Sequence, residues 1–427
     1  SCRDGGRRRA RPGRAVRIAG LAREETGETV RVAADVIWED TERAPRRIHF
    51  ETTEPFGAAL TASPHAFLTA AIVPALRAGE ARVAIEGAVC PQLRDGLTTV
   101  MQVLNRWWGP ARRLVAIEPR DGFCPAVPPT PTRTGMFLSG GFDSLTTLRE
   151  NRRSFPLDHP AAVRDALFVY GFDMGGPGDG DQTAFFEASA AALGPVAAET
   201  QVELIPVRTN LRELDPDGAA WPDEWFGSAA AAVAHAFSTR LSEVLIAASL
   251  DIKSLEPIGS HPLLDPSLSS AGLRVIHHGA HLSRLQKIRT VAQWDTALAS
   301  VRVCWAGIQP GGPLNCGRCR KCLRAMLGLL VIGKLAEARS FPVREITPAM
   351  LEPARIDNAH LLGFYRELLD PLRTIGRDDL RAVIERKIGA FERSADWARE
   401  TGVKGTLRRL DRTYLGGVFL RLARRVG

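Results

Sequence analysis

The 427-residue chain predicts an α/β fold: a parallel sheet covered by helices on both faces, preceded by a small α+β module and followed by a helical C-terminal part. From residue 134 onward, short apolar runs alternate with Ala- and Leu-rich stretches, the order that βα units produce. The first of these runs, Thr134-Gly135-Met136-Phe137-Leu138, meets a glycine turn and then leucines 145 and 148, three apart as on a helix. Ahead of it, prolines 125, 128, 129 and 131 can continue neither helix nor central strand, so they set off an N-terminal module.

Residues 1–15 read as a basic tail and 16–124 as the α+β module. Within it Val30–Val36 and Arg47–Phe50 carry strand character, Ala66–Arg77 is helical and Arg82–Glu86 is a further strand; Leu93–Trp108 is helical again and Leu114–Ile117 closes the unit. The tryptophans 107 and 108 suit an apolar helix end packed on neighbouring structure. Residues 125–133 are the linker and 134–335 the central domain. There, Ala166–Tyr170, Glu203–Val207, Val244–Ala248 and Arg274–His277 read as strands, with helices over Ala184–Leu193 and Ser228–Ser238. Ligands of such sheets bind beyond the carboxyl ends of the strands. The loops at 139–144, 170–173, 248–251 and 259–265 therefore belong to one rim. Leu323–Leu335 continues as an apolar helix too short for a bilayer, and residues 336–427 are helical, with an amphipathic stretch over 407–415.

The loop Ser139-Gly140-Gly141-Phe142-Asp143-Ser144, with Leu138 leading into it, reads as a cradle for the pyrophosphate of ATP. Amides at a helix N-terminus, with the helix dipole behind them, form an anion site, and glycines let oxygens approach the main chain. Ser139 and Ser144 add hydroxyl donors, and Asp143 can hold a magnesium ion that offsets the charge of departing pyrophosphate. No Lys-Ser or Lys-Thr follows the glycines, which excludes a Walker A loop. On the same rim, Asp173 suits either the ribose of ATP or a turn cap, with Tyr170 and Gly171 beside it, while His261 suits a contact to substrate or phosphate and the Trp221–Gly227 segment containing Trp225 the lining of a substrate pocket. His235, in an Ala-rich stretch, reads as a packed core residue.

This S-G-G-x-D-S loop resembles the signature of the PP-loop ATP pyrophosphatases, whose fold is of the adenine nucleotide alpha hydrolase type. The resemblance implies cleavage of ATP to AMP and pyrophosphate, with adenylation of a substrate oxygen before attack by nitrogen or sulfur.

Cys304, Cys316, Cys319 and Cys322 form a second constellation, C-x-x-C-x-x-C with an upstream partner. Four thiolates suit one tetrahedral zinc in a closed, structural site, and an iron–sulfur cluster held by three of them is the alternative. The two constellations together resemble the branch of PP-loop proteins that contains 7-cyano-7-deazaguanine synthase. That resemblance implies a substrate-contacting loop over Ile258–Asp265, with Ser260, His261 and Asp265, and a phosphate contact from Lys287 in the helix start Leu282–Ile288, where Arg284 is a further substrate candidate. The loop residues depart from the deazaguanine-binding pattern, so the resemblance extends to fold and ATP chemistry and stops short of the substrate.

The composition bounds the rest. The formal charge of +8 is concentrated in residues 1–14 and 402–427, leaving a mildly acidic body, which favours solvated ends over a specific RNA reader. The arginine-rich first residues lack an apolar core behind them, so neither a secretory signal nor a membrane partner is expected. Seven cysteines, four of them clustered, fit a reducing compartment, and a cytoplasmic location is the expectation. The expected activity is an AMP-forming ligase acting on a carboxylate or carbonyl oxygen of a small molecule or peptide, with a nitrogen nucleophile and, where needed, a donor protein. Thiolation of a nucleobase or small molecule is the alternative reaction, and a non-catalytic ATP-binding regulator or RNA-binding protein the alternative class.

Overall fold

The computed structural model describes residues 14–39, 41–125, 133–304 and 312–399, with side chains as far as residue 393. The arginine-rich tail before residue 14, most of the Pro-rich linker and the amphipathic stretch over 407–415 lie outside the described residues. The chain divides into two compact units, residues 1–316 and 317–427.

Unit one is organised on a single ten-stranded sheet. Its first half holds β1 (Ala15–Thr26), β2 (Thr29–Glu39), β3 (Arg46–Thr53), α1 (Pro64–Ala78), β4 (Arg82–Ile85), α2 (Pro91–Trp108) and β5 (Ala116–Pro119). Its second half holds β6 (Thr134–Phe137), α3 (Phe142–Ser154), β7 (Val163–Tyr170), α4 (Thr183–Thr200), β8 (Glu203–Thr209), α5 (Phe226–Ala236), β9 (Glu243–Ala247), β10 (Arg274–His278), α6 (Arg284–Ala292) and α7 (Asp295–Ser300). The strands run β10-β9-β6-β7-β8-β3-β2-β1-β4-β5. All pairs are parallel except the three from β8 through β3 and β2 to β1. An α/β fold with a mostly parallel sheet and flanking helices is therefore what the chain forms. One strand was not anticipated: β1, which lies between β2 and β4 and carries a bulge where Gly20 turns to φ 64°.

The two half-sheets join through a short seam. β3 pairs with β8 only at Phe50 with Thr209 and Glu51 with Arg208. Beyond them the Asn210 side chain stands in for a peptide, accepting from His49 N and donating to Arg47 O, both at 3.0 Å. Behind the seam α1 packs on α5, and both helices are rich in buried alanine, at 66, 70, 71 and 75 on the first and 229–232 on the second. Ser228 Oγ donates to Thr69 O at 2.6 Å, and Trp225 Nε1 to Ala70 O at 3.1 Å.

The same interface carries a buried charge cluster. Glu224, only 4% exposed, accepts from Arg112 at 2.6 and 2.7 Å and from Arg77. Removing one partner of such a pair leaves the other charge buried without compensation. Glu224→Gln is expected to cost about 3 kcal/mol, read as a lower urea midpoint at unchanged slope; an unaltered midpoint would show the cluster to be energetically neutral.

His235 lies fully buried on α5, its Nε2 at 2.9 Å from Leu268 O, so the packed role expected for it holds. Burial, with His65 nearby, pulls it down to about 3, and burial likewise pulls His49 down to about 4. Both sit below the unfolded value near 6.5, so their neutral forms stabilise the fold fully above that pH, and the contribution is lost as pH falls toward the folded values. Melting temperature should therefore fall from pH 7 to pH 4.5, at up to about 1.4 kcal/mol per pH unit per histidine. His235→Gln, which keeps a donor for Leu268 O, should flatten that slope; a slope identical to the parent's would count against the assignment.

Unit two holds α8 (Arg320–Val331), α9 (Pro348–Leu351), α10 (Ala359–Glu367), α11 (Leu369–Thr374) and α12 (Asp378–Arg399). α8 ends four residues before the expected Leu335, and Gly333 turns the chain at φ 77°. Leu351, Phe364, Leu372, Leu380 and Ile384 are buried in this unit. No helix among the described residues is long and apolar enough to cross a membrane.

Candidate functional site

The sheet order places the glycine loop at a switch point. From β6 the chain proceeds to β7 and β8 on one side, then crosses to β9 and β10 on the other, which opens a crevice beyond the carboxyl end of β6. Leu138 is fully buried below the loop. Gly140 adopts φ 79°, a conformation that L side chains rarely adopt, and a Cβ there would also press on Leu193 at 3.3 Å. Gly141 then caps α3 without any side-chain hydrogen bond to the helix N-terminus, while Phe142 packs inward. The first amides of α3 are therefore left to the crevice. Ser139 Oγ lies 3.2 Å from Ser144 Oγ, and Gly141 N donates to Ser139 Oγ at 3.3 Å.

Asp143 stands in the first turn of α3 facing two cations from α6. Arg284 Nη1 lies 2.8 and 2.9 Å from its two carboxylate oxygens, and Lys287 Nζ lies 3.4 Å from Oδ1. The orientation of α6 follows from its sequence, because Ser283 and Gln286 form a reciprocal capping box that fixes its first turn. Arg284 also donates to Ser249 O at 3.1 Å and Lys287 to Ala248 O at 2.5 Å, so the strand end of β9 completes the cluster. Burial alone would raise the Asp143 carboxyl, but the Arg284 and Lys287 charges more than reverse this and hold it below its ordinary value. Burial lowers the Lys287 ammonium, with Asp143 opposing. Arg284 Nε is buried and has no hydrogen-bond partner among the described residues.

The β7 side of the crevice is more apolar. A cavity of about 70 Å³ is bounded by Leu138, Ser139, Phe172, Asp173, Met174 and Phe226. Asp173 Oδ1 accepts from Trp221 Nε1 at 3.0 Å, Tyr170 Oη accepts from Gln182 N at 3.2 Å, and Gly171 turns at φ 102°. Arg302, 5% exposed, reaches this wall and donates through Nη2 to Ser139 O at 3.2 Å. Burial lowers its pKa to about 10, which keeps it cationic at neutral pH. Nothing in the sequence marks this residue beyond a cation two positions before Cys304.

The residues expected to touch substrate separate into two groups. Arg284 belongs to the Asp143 cluster just described. Ser260, His261 and Asp265 instead form an interior network, in which Asp265 Oδ2 accepts from Ser260 Oγ at 2.7 Å and lies 2.8 Å from His277 Nδ1. His261 Nδ1 accepts from Leu263 N at 3.0 Å, and its ring packs edge-on against Trp107 at 4.9 Å. Asp265 is fully buried and Trp225 is 1% exposed, so in this conformation neither side chain meets solvent. Trp107 packs as the sequence suggested, whereas Trp108 remains 38% exposed.

The four expected metal-ligating cysteines come together, with their sulfurs all within 4.8 Å of one another. A tetrahedral zinc at about 2.3 Å from each sulfur needs sulfurs about 3.8 Å apart, so the set fits after a contraction of at most about 1 Å. Cys316 N donates to Cys304 Sγ at 3.3 Å, and Cys319 occupies the N-cap of α8, where the helix dipole favours a thiolate. Gly317 turns between them at φ 71°; a Cβ there would come within 2.7 Å of Pro342. The cluster can hold a metal such as zinc.

No family model, curated protein or solved structure matches this chain.

Proposed function

We propose that the chain is an ATP-dependent, AMP-forming synthetase of the PP-loop kind. The observation that carries this reading is the juxtaposition of an uncapped helix N-terminus, two serine hydroxyls and the Asp143–Arg284–Lys287 cluster at the switch point of a parallel sheet. The amides of α3 and the hydroxyls of Ser139 and Ser144 would receive the β- and γ-phosphate oxygens. Arg284 and Lys287 neutralise Asp143 in the structure described, and a polyphosphate would draw both cations to itself, leaving the Asp143 carboxylate to hold magnesium. Magnesium bound there would offset the negative charge of the departing pyrophosphate.

In the reaction, a carboxylate or carbonyl oxygen of the acceptor attacks the α-phosphorus and the bond to the β-phosphate oxygen breaks, releasing pyrophosphate. A nitrogen nucleophile then attacks the activated carbon, loses a proton and displaces AMP. The protein's contribution is alignment and charge stabilisation, and the chemistry resides in the two substrates. Thiolation has less support. Burial raises the Cys124 thiol, the reverse of activation, and Cys90 is buried in the core, away from the Ser139–Ser144 loop. The deciding experiment is product analysis with ATP, magnesium and a panel of carboxylates, modified bases and peptides. AMP with pyrophosphate supports the reading; ADP, or ATP bound and never cleaved, would overturn it.

A further inference from the structure

We infer that Arg302 is a positioning residue that couples occupancy of the four-cysteine cluster to the geometry of the Ser139–Ser144 loop. The inference rests on the reading of that loop as the ATP site. Residues 301–304 form one short segment with two bonded edges. On one edge, Arg302 N donates to Gly140 O at 2.9 Å and Arg302 Nη2 to Ser139 O at 3.2 Å. On the other, the buried Asn315 accepts from Val303 N at 2.8 Å and donates to Val301 O at 2.9 Å. The segment ends in Cys304, and Asn315 directly precedes Cys316, whose amide is bonded to the Cys304 sulfur. A metal shared by these thiolates would fix both ends of the clamp.

The consequence for the loop follows from peptide geometry. In a planar trans peptide, C=O and N–H point in opposite directions, so a carbonyl held on one side aims the next amide to the other. Arg302 holds the carbonyls of Ser139 and Gly140, and thereby aims the amides of Gly140 and Gly141 away from itself. The Gly141 amide accordingly faces Ser139 Oγ on the crevice side. The Arg302 guanidinium is itself packed, 5.0 Å from the Phe185 ring and with Nη1 3.4 Å from Met174 Sδ, so it transmits displacement of the segment without slack.

The test uses the full chain, zinc-loaded and chelator-stripped, as parent, Arg302→Met and Arg302→Lys. Hydrogen exchange at the Gly140 and Gly141 amides needs no nucleotide, and ATP affinity is measured in parallel. Stripping zinc from the parent should speed that exchange and weaken ATP binding about tenfold, within the usual range of coupling between sites. Arg302→Met, which removes the side-chain bond to Ser139 O, should show the faster exchange at the Gly140 amide even with zinc bound, and stripping it should add little there; Arg302→Lys should fall between. By reciprocity, ATP should tighten zinc binding at equilibrium by the same factor. Unchanged exchange in zinc-loaded Arg302→Met, or an equal response to stripping in parent and variant, would overturn the coupling. Loop exchange that responds as expected in a chain that binds no ATP would uphold the coupling and sink the nucleotide reading instead.

Discussion

Asp143→Asn is expected to reduce ATP-to-AMP turnover by about 10³-fold, the scale on which removal of one preorganised electrostatic contact lowers a rate. The substitution keeps the side-chain volume and removes the charge, so the loss reports on the carboxylate and not on a cavity. It also leaves Arg284 and Lys287 facing one another, and Lys287 is 2% exposed. A stability cost is therefore expected alongside, smaller than the 3–5 kcal/mol of a fully buried pair because the Asp143 side chain is 23% exposed. Melting curves measured with the kinetics separate the two effects. A folded variant with undiminished AMP formation would remove Asp143 from the reaction, and with it the magnesium site assigned to the loop.

Cys319→Ser is expected to abolish stoichiometric metal binding and to lower the melting transition of the chain. The free energy of a structural zinc site is largely folding free energy, on the order of 10 kcal/mol for four ligands in small domains. Loss of one thiolate opens the closed site and removes the ligand that α8 presents at its N-terminus. Metal analysis of the parent should give one zinc per chain and no visible colour. Iron with brown colour would instead establish a cluster on three thiolates, and absence of any metal with an unchanged melt in the serine variant would reduce the constellation to four free thiols.

The strand–loop–helix at residues 134–154 was legible because its chemistry is local: glycines that turn, a helix that begins at once, a carboxylate in the first turn. The cysteine cluster was legible for the same reason, since three of its four ligands fall within seven residues. What the sequence did not reveal depends on distant partners. β1 escaped because Gly20 interrupts its alternation and Arg23 to Thr26 are polar, so only pairing with β2 and β4 identifies it. Arg284 looked like a substrate residue until α6 set it against Asp143, 141 residues away. Asp265 and Trp225 looked like rim residues, yet the fold encloses both, the first by Ser260 and His277 and the second by the backbone of α1.

The narrow seam between β3 and β8 has a consequence for how the chain matures on the ribosome. The bonds that complete β3 come from residues about 160 positions later. A nascent chain that has delivered only its first half would carry an open strand edge and an alanine-lined helix face, both waiting for β8 and α5. Such edges invite pairing with other chains. Arg46 and Arg47 open the waiting strand and Glu51 lies further along it, and these charges disfavour pairing with a neighbour during the interval in which synthesis has outrun folding.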